Sequence, residues 1–168
     1  SELKNNLTQP AKLTSQKVKL RKAVRSDKKS ILNLVKELAE FEKLTFLDDK
    51  AGSRLMKDAF SKDPPFRTLV AEADKKVIGY AFYFFTYSSF FAKKTLYLED
   101  IYISEKYRNL GIGKKYFIEL LKIARKNKCG RMEWVVLDWN ENAIKFYEKL
   151  GAYELKEWKT FRKIINYD

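Results

Sequence analysis

The sequence predicts one mixed α/β domain. Three observations carry this. Runs with period-2 apolar alternation interleave with period-3.6 apolar stripes, in the order β-α-α-β-β-β-α-β-α-β-β. Two strand-like runs rich in aromatic and β-branched residues flank a polar turn at Asp74-Lys75. The chain has 168 residues, 45% hydrophobic and 34% charged, enough for one substantial core and too apolar to stay unfolded. No repeat or internal linker interrupts residues 17–168, which are read as a single domain behind a flexible polar arm, 1–16.

Each element has a local reason. Val18–Val24 reads as a strand with Val18, Leu20 and Val24 on one face. Ser26 or Asp27 is placed to cap a helix whose stripe is Ile31, Leu34, Val35, Leu38 and Phe41. Asp48–Phe60 is a second helix carrying Leu55, Met56 and Phe60, and Pro64-Pro65 closes it. Thr68–Ala73 and Lys76–Thr86 form the hairpin. Thr95–Ile103 is a strand interrupted in mid-run by Glu99-Asp100. Tyr107–Gly113 is a glycine-bearing turn. It leads into a helix over Lys114–Lys128 with Tyr116, Phe117, Leu120, Leu121 and Ala124 inward. Met132–Leu137 is a strand, and Asn142–Leu150 is a helix stopped by Gly151. Tyr153–Leu155 and Trp158–Ile164 are expected as closing strands.

Composition removes several chemistries. The chain has no histidine, which excludes Ser-His-Asp and Cys-His nucleophile systems, His-ligated metals and a His general base. Proton transfers must fall to carboxylates, Tyr, Lys or water. One cysteine, Cys129, permits neither an internal disulfide nor a Cys-only zinc site. It suits a reducing compartment, so a cytoplasmic location and no metal are expected. The longest apolar stretch, Val77–Tyr87, falls short of the roughly 20 residues a membrane helix needs. Ser1–Gln16 lacks the apolar segment of a secretory signal.

The net charge of +13 first points to an anionic partner. Its distribution says more. Residues 1–29 hold nine basic and two acidic groups, and residues 106–131 hold nine basic and one acidic, so the remainder is slightly acidic. Within the second segment lies Arg108-Asn109-Leu110-Gly111-Ile112-Gly113, after a strand and before a helix. Glycines there permit close backbone approach, and the N–H groups of the helix start point outward with the dipole behind them. The bland alternative is a tight strand-to-helix turn. The pattern is neither a Walker loop nor a full dinucleotide fingerprint. Lys114 and Lys115 oppose the helix dipole, a cost that phosphates bound between them would relieve.

The spacing R-x-x-G-x-G at Arg108–Gly113 resembles the acetyl-CoA pyrophosphate loop of the GNAT acetyltransferase superfamily. The run Asn140–Gly151 resembles that superfamily's N-x-x-A-x-x-F-Y-x-x-x-G signature. Phe85-Thr86-Tyr87, Tyr97-Leu98-Glu99-Asp100 and Lys36–Glu42 resemble the diamine (spermidine/spermine) branch, whereas Val136–Asn140 resembles the thialysine branch. The resemblance spans Val18 to Ile164. It implies a central, mixed, mostly antiparallel sheet flanked by helices, acetyl-CoA as cosubstrate, and a homodimer with acceptor sites near the subunit interface.

A primary amine of pKa about 10.4 is neutral in roughly 1 molecule in 2,500 at pH 7, so deprotonation costs about 4.6 kcal/mol. Without His, a carboxylate must take the proton. Glu99, inside an apolar strand, is the first candidate, directly or through water, and the resemblance gives it that role. Its alternative is an ion-paired strand carboxylate. Strand alternation sends Asp100 to the other face unless a bulge brings the two acids together. The resemblance makes Asp100 part of the acceptor site. It also makes Tyr147 the general acid for the leaving thiolate, since a phenol of pKa about 10 keeps its proton at pH 7. The alternative for Tyr147 is a core aromatic. Ile101, Tyr102 and Ile103 are implied to offer backbone groups to the pantetheine arm. Arg108, Asn109, Leu110, Gly111, Ile112, Gly113 and Lys114 are implied to cradle the pyrophosphate. Asn140 is either a pantetheine contact, a helix cap or both. Cys129 is read as a structural helix-end residue.

Glu42 matches a polyamine-contacting glutamate of the diamine branch, with a solvated helix end as its alternative. Tyr87, Phe90 and Phe91 are candidates for the acceptor mouth. After Phe-Thr-Tyr the diamine enzymes carry an acid and then a tryptophan, whereas this chain has Ser88-Ser89-Phe90-Phe91-Ala92-Lys93-Lys94. The segment is one residue longer and carries two lysines, which disfavours long polycations and favours a smaller amine or a thialysine-like side chain. The expectation is therefore an acetyltransferase acting on a small amine by direct attack, with protein amines as the alternative acceptors. Neither a nucleic acid nor a membrane is expected as partner. A nucleic-acid binder would explain +13 but neither signature.

Overall fold

The computed structural model describes residues 17–167, so the arm read in 1–16 lies outside it. The chain forms two compact units, one up to Val135 and one from Val136. The first contains β1 (Lys19–Lys22), a 3-10 turn (Arg25–Asp27), α1 (Lys28–Phe41), α2 (Asp49–Ala59), β2 (Arg67–Ala73), β3 (Lys76–Ser88), β4 (Lys93–Ile103), a 3-10 turn (Glu105–Tyr107), α3 (Ile112–Lys126) and β5 (Arg131–Glu133). The second contains α4 (Glu141–Lys149).

The sheet runs β1-β2-β3-β4-β5. The first three pairings are antiparallel and β4–β5 is parallel, as the α3 crossover between them requires. One face carries Val70, Tyr80, Phe82 and Tyr102, packed with Ile31 and Leu34 of α1 and Met56 of α2. The other face carries Leu69, Ala71, Gly79 and Ala81 and receives Tyr116 of α3, whose hydroxyl donates to the Leu69 carbonyl at 3.4 Å. A Cβ on Gly79 would stand 2.9 Å from the Tyr102 carbonyl oxygen, so the close approach at that point needs a glycine.

Several expectations shift at their edges. β1 ends at Lys22 because Val24 opens a turn, its carbonyl accepting from the Asp27 N–H at 2.8 Å. Asp27 precedes α1 but makes no side-chain cap. Its carboxylate is engaged instead by the Arg21 guanidinium, at 2.8 and 3.0 Å, and by the Val24 N–H at 2.8 Å. The two-pronged guanidinium pair adds an opposite full charge that a cap on backbone N–H groups lacks. Arg21 Nε also donates to Glu72 at 2.8 Å, tying β1, β2 and the α1 start together. Asp48 caps α2 as read, accepting from the Ala51 N–H at 2.7 Å. On α3, Tyr116, Phe117, Leu120 and Ala124 are buried, but Leu121 is exposed.

β5 stops at Glu133, where its pairing with β4 stops, rather than at Leu137. Among the described residues no strand follows α4, so the two closing strands are corrected to irregular chain. Tyr153, Trp158, Phe161 and Ile164 are exposed there. Alternation alone does not make a strand when no ladder partner supplies donors and acceptors.

The Arg21 guanidinium holds the Asp27 carboxyl below its ordinary range. A depressed native pKa stabilises above the unfolded value, about 3.9 for Asp, and that stabilisation is lost as pH falls through the native value. Asp27→Asn should therefore cost about 2–3 kcal/mol at pH 7, by urea unfolding. The gap to wild type should narrow at pH 3.

Candidate active site

β4 is where the site assembles. Opposite β3, Phe82 pairs with Asp100 but Tyr83 pairs with Leu98, so Glu99 is an extra residue with no partner. This β-bulge reverses the side-chain parity along β4. Leu98 joins the face of Tyr83, whereas Asp100 joins the face of Phe82, Tyr80 and Tyr102. The bulge that the sequence left open as a route to two neighbouring acids is therefore present.

The two acids differ sharply. Glu99 is exposed and Asp100 is half-buried. The hydroxyl of Tyr80, itself fully buried, donates to Asp100 Oδ2 at 3.0 Å. Burial pushes the Asp100 carboxyl up to about 6. The Tyr80 hydrogen bond opposes that, and the charges of Glu99 and Glu42 add to it. Glu42, just past the end of α1, is itself raised by burial. Glu42, Glu99 and Asp100 thus form one acidic neighbourhood on the α1 side of the sheet. Among the described residues no group of His, Cys, Asp or Glu is arranged to hold a metal ion. Tyr80 is the residue that sequence reasoning missed. No sequence signal singled it out, since β3 also carries the hydroxyls of Tyr83, Thr86 and Tyr87.

Tyr87 is not brought to this neighbourhood. It pairs with Lys94 near the hairpin tip and is 68% exposed. The span from Lys94 to Asp100 is roughly 20 Å at about 3.3 Å per residue. Phe90 is fully exposed at that tip, and Phe91 sits under the Arg131 guanidinium, 5.1 Å from its ring centre.

Beyond Tyr97, which pairs with Glu133, β4 continues to Ile103 without β5 beside it. Ile101 and Ile103 are half-buried and Tyr102 is buried along this stretch. A strand edge of this kind presents unpaired N–H and C=O groups to an extended partner. At its end the chain turns through Arg108–Gly113. Asn109 (φ 62°) and Gly111 (φ 78°) are both left-handed, and α3 begins at Ile112. The first N–H groups of a helix have no partner inside it and aim outward. Lys114 is exposed beside them, whereas Lys115 Nζ donates to the carbonyl of Val18, just before β1. Leu110 is half-buried and Ile112 is buried, anchoring the turn. Arg108 is partly committed elsewhere. Its Nε donates to the Ile103 carbonyl at 3.0 Å, and its guanidinium lies 5.3 and 5.2 Å from the ring centres of Phe41 and Tyr102. It fastens the turn to the end of β4 and to α1.

In the second unit, Asn140 Oδ1 accepts from the Ala143 N–H at 3.3 Å, so the capping reading of Asn140 holds. Tyr147 lies on α4, half-buried, with its ring 5.6 Å from that of Phe146. Cys129 closes α3 with its N–H on the Ala124 carbonyl, and burial raises its thiol, which does not favour a reactive thiolate.

A mostly antiparallel sheet whose fourth strand parts from a parallel fifth, followed by a glycine turn into a helix, defines an acyltransferase fold. A possible acetyltransferase from Clostridium difficile 630 shares it. The two superpose with a TM-score of 0.78 over 89% of this chain and 99% of that one, at 22% identity. The chain belongs to the Acetyltransferase (GNAT) family, whose model matches residues 31–152. It is 37% identical over 155 residues to the thialysine N-epsilon-acetyltransferase of Mus musculus, covering 86% of this chain and 91% of that protein. It is 36% identical over 153 residues to the human spermidine/spermine N(1)-acetyltransferase-like protein 1, covering 85% of this chain but 22% of that longer protein. The chain is therefore an acetyltransferase, and relatives that act on small amines are its neighbours in sequence.

The two turn glycines should separate. Gly111→Ala forces a side chain into the left-handed region and should cost about 1–2 kcal/mol in thermal unfolding. Gly113 lies inside α3 and, unlike Gly111, does not have a positive φ. Gly113→Ala should leave unfolding unchanged or improve it slightly.

Proposed function

We propose that this enzyme moves the acetyl group of acetyl-CoA to a primary amine of a small diamine, polyamine or thialysine-like amino acid. The observation that carries this reading is the acidic neighbourhood of Glu42, Glu99 and Asp100, the last two on the strand that leads to the glycine turn. Acidic groups receive a cationic amine, and the turn suits a diphosphate.

The residues present fit acetyl-CoA. The β4 edge at Ile101, Tyr102 and Ile103 suits pantetheine amides. The N–H groups at Gly111, Ile112, Gly113 and Lys114, with Asn109 and the Lys114 ammonium, suit a pyrophosphate. Arg108 acts there through its remaining guanidinium N–H groups. Acetyl-CoA supplies a thioester carbon open to direct attack, so no acyl-enzyme is needed and Cys129 has no part. One of the two bulge carboxylates, Glu99 or Asp100, takes the proton of the bound ammonium. Tyr147 donates a proton to the departing thiolate. Glu42 contributes to holding the amine, whereas Tyr87, out at the hairpin tip, has no part in this pocket. The homodimer implied by the family resemblance and the cytoplasmic location expected from the single cysteine belong to the same reading.

Thiol release from acetyl-CoA should appear with at least one of putrescine, spermidine, ornithine, lysine and thialysine, and only when the amine is added. Release driven solely by lysine-bearing peptides would move the acceptor to protein amines. No amine-dependent release at all would sink the proposal. Tyr147→Phe should lower kcat by about 10- to 100-fold while leaving the acetyl-CoA Kd within about twofold. Unchanged turnover would remove Tyr147 from the acid role.

A further inference from the structure

We propose that Tyr80 is a positioning residue, which holds Asp100 as the carboxylate that takes the proton from the substrate ammonium. This rests on the amine-acetylating reading above and assigns the choice it leaves between Glu99 and Asp100.

The geometry separates the two carboxylates. Glu99 is the unpaired residue of the bulge and is exposed, so its side chain is fixed by neither ladder nor core. Asp100 is back in register with Phe82, and Oδ2 is held by the Tyr80 hydroxyl at 3.0 Å. Among the described residues Oδ1 accepts no hydrogen bond from the protein. One oxygen is thus tethered and the other is left for a ligand. The tether is itself rigid. Tyr80 has no exposed surface, and its ring lies 4.7 Å from that of Phe82 within the α1-side core. Burial carries its phenol far above the ordinary range, with the Asp100 charge adding to that, so the hydroxyl remains a donor at every working pH.

The charged and titratable groups facing Asp100 are few. Glu42 comes from the α1 end, Tyr80 from β3, and Glu99 from β4 itself, while Tyr102 of β4 acts on Tyr80. Two negative neighbours and burial favour the protonated acid, and the Tyr80 donor favours the carboxylate. A carboxylate balanced near neutrality is a better base than one in the ordinary range. In the step itself, one N–H bond of the ammonium breaks and an O–H bond forms on Asp100. The freed nitrogen lone pair then adds to the thioester carbon, the C–S bond breaks, the nitrogen sheds its second proton to give the amide, and the departing thiolate takes a proton.

The test is the pH profile of kcat/KM for the best amine, with Asp100 followed separately by carboxyl carbon-13 NMR. Wild type should lose activity as pH falls through about 6. Tyr80→Phe keeps the ring and removes the donor, so the Asp100 midpoint and the acidic limb should both move to higher pH. Activity at pH 6 should fall about three- to tenfold, with values at pH 8.5 within about twofold of wild type. Asp100→Asn should abolish the acidic limb, whereas Glu99→Gln should keep it. An NMR midpoint that does not move in Tyr80→Phe overturns the proposal. So does an acidic limb that survives Asp100→Asn but disappears in Glu99→Gln. Should Tyr80→Phe fail to fold, the Asp100→Asn and Glu99→Gln pair decides alone. If no amine is acetylated by wild type at any pH, the functional reading fails by itself, and the NMR arm still decides whether Tyr80 governs Asp100.

Discussion

The extra residue at Glu99 is the constraint from which the site is built. Side chains along a strand alternate, so without the bulge Leu98 and Asp100 would share a face. One of them would then be misplaced: a leucine stranded on the Tyr80 side or an aspartate driven in among Tyr83 and Ala81. The unpaired Glu99 lets both be correct. Leu98 stays buried, and the half-buried Asp100 meets a hydroxyl donor that compensates its lost water. The sheet has a second register shift, at Ala71/Glu72 of β2, and the one in β4 falls at its pair of acids.

A second consequence lies in where the cations end up. The sequence gathers nine basic groups into residues 106–131, and a simple count would give them all to a phosphate ligand. The fold uses several for itself. Arg108 clasps the Ile103 carbonyl and two aromatic rings, Lys115 reaches the Val18 carbonyl, and Arg131 bonds Glu133 at 3.0 Å. Backbone N–H groups at the start of α3 and the exposed Lys114 are what the turn retains. A cradle made of peptide dipoles is preorganised, whereas lysines alone are strongly hydrated and loosely held.

Much of this was legible in the sequence because it depends on local chemistry. The interruption at Glu99-Asp100 marked the strand, the R-x-x-G-x-G spacing placed the turn, and the order of elements through α4 follows from periodicity. What escaped depends on contacts distant in sequence. The diagonal between Tyr80 and Asp100 exists only once the register and its bulge are set. The capture of Asp27 by Arg21 overrides a capping preference that is real but weaker. The early end of β5 reflects where β4 leaves it, which no property of Met132–Leu137 encodes. The alternating pattern after α4 was misread for the same reason, because alternation records a preference for a pleated surface and supplies no partner.

The absence of histidine makes the Tyr80–Asp100 pair intelligible as chemistry. An enzyme that must take a proton from an amine near neutrality needs a base whose own affinity for protons is not far below the working pH. Imidazole has this without help. A carboxylate acquires it only by losing water, and a carboxylate that loses too much water stays protonated and is useless as a base. Asp100 sits between these limits because two opposing influences act on the same group. The core and the charges of Glu42 and Glu99 push it up, and the Tyr80 hydroxyl pulls it down. The burial and the Tyr80 donor both come from groups fixed by β3, β4 and the α1-side core. In the proposed reaction the bound amine would add a third influence of the same sign as Tyr80, favouring the carboxylate when the ammonium arrives. The proton would move only as the amine turns from cation to nucleophile. The same cluster then both recognises the positive charge and removes it.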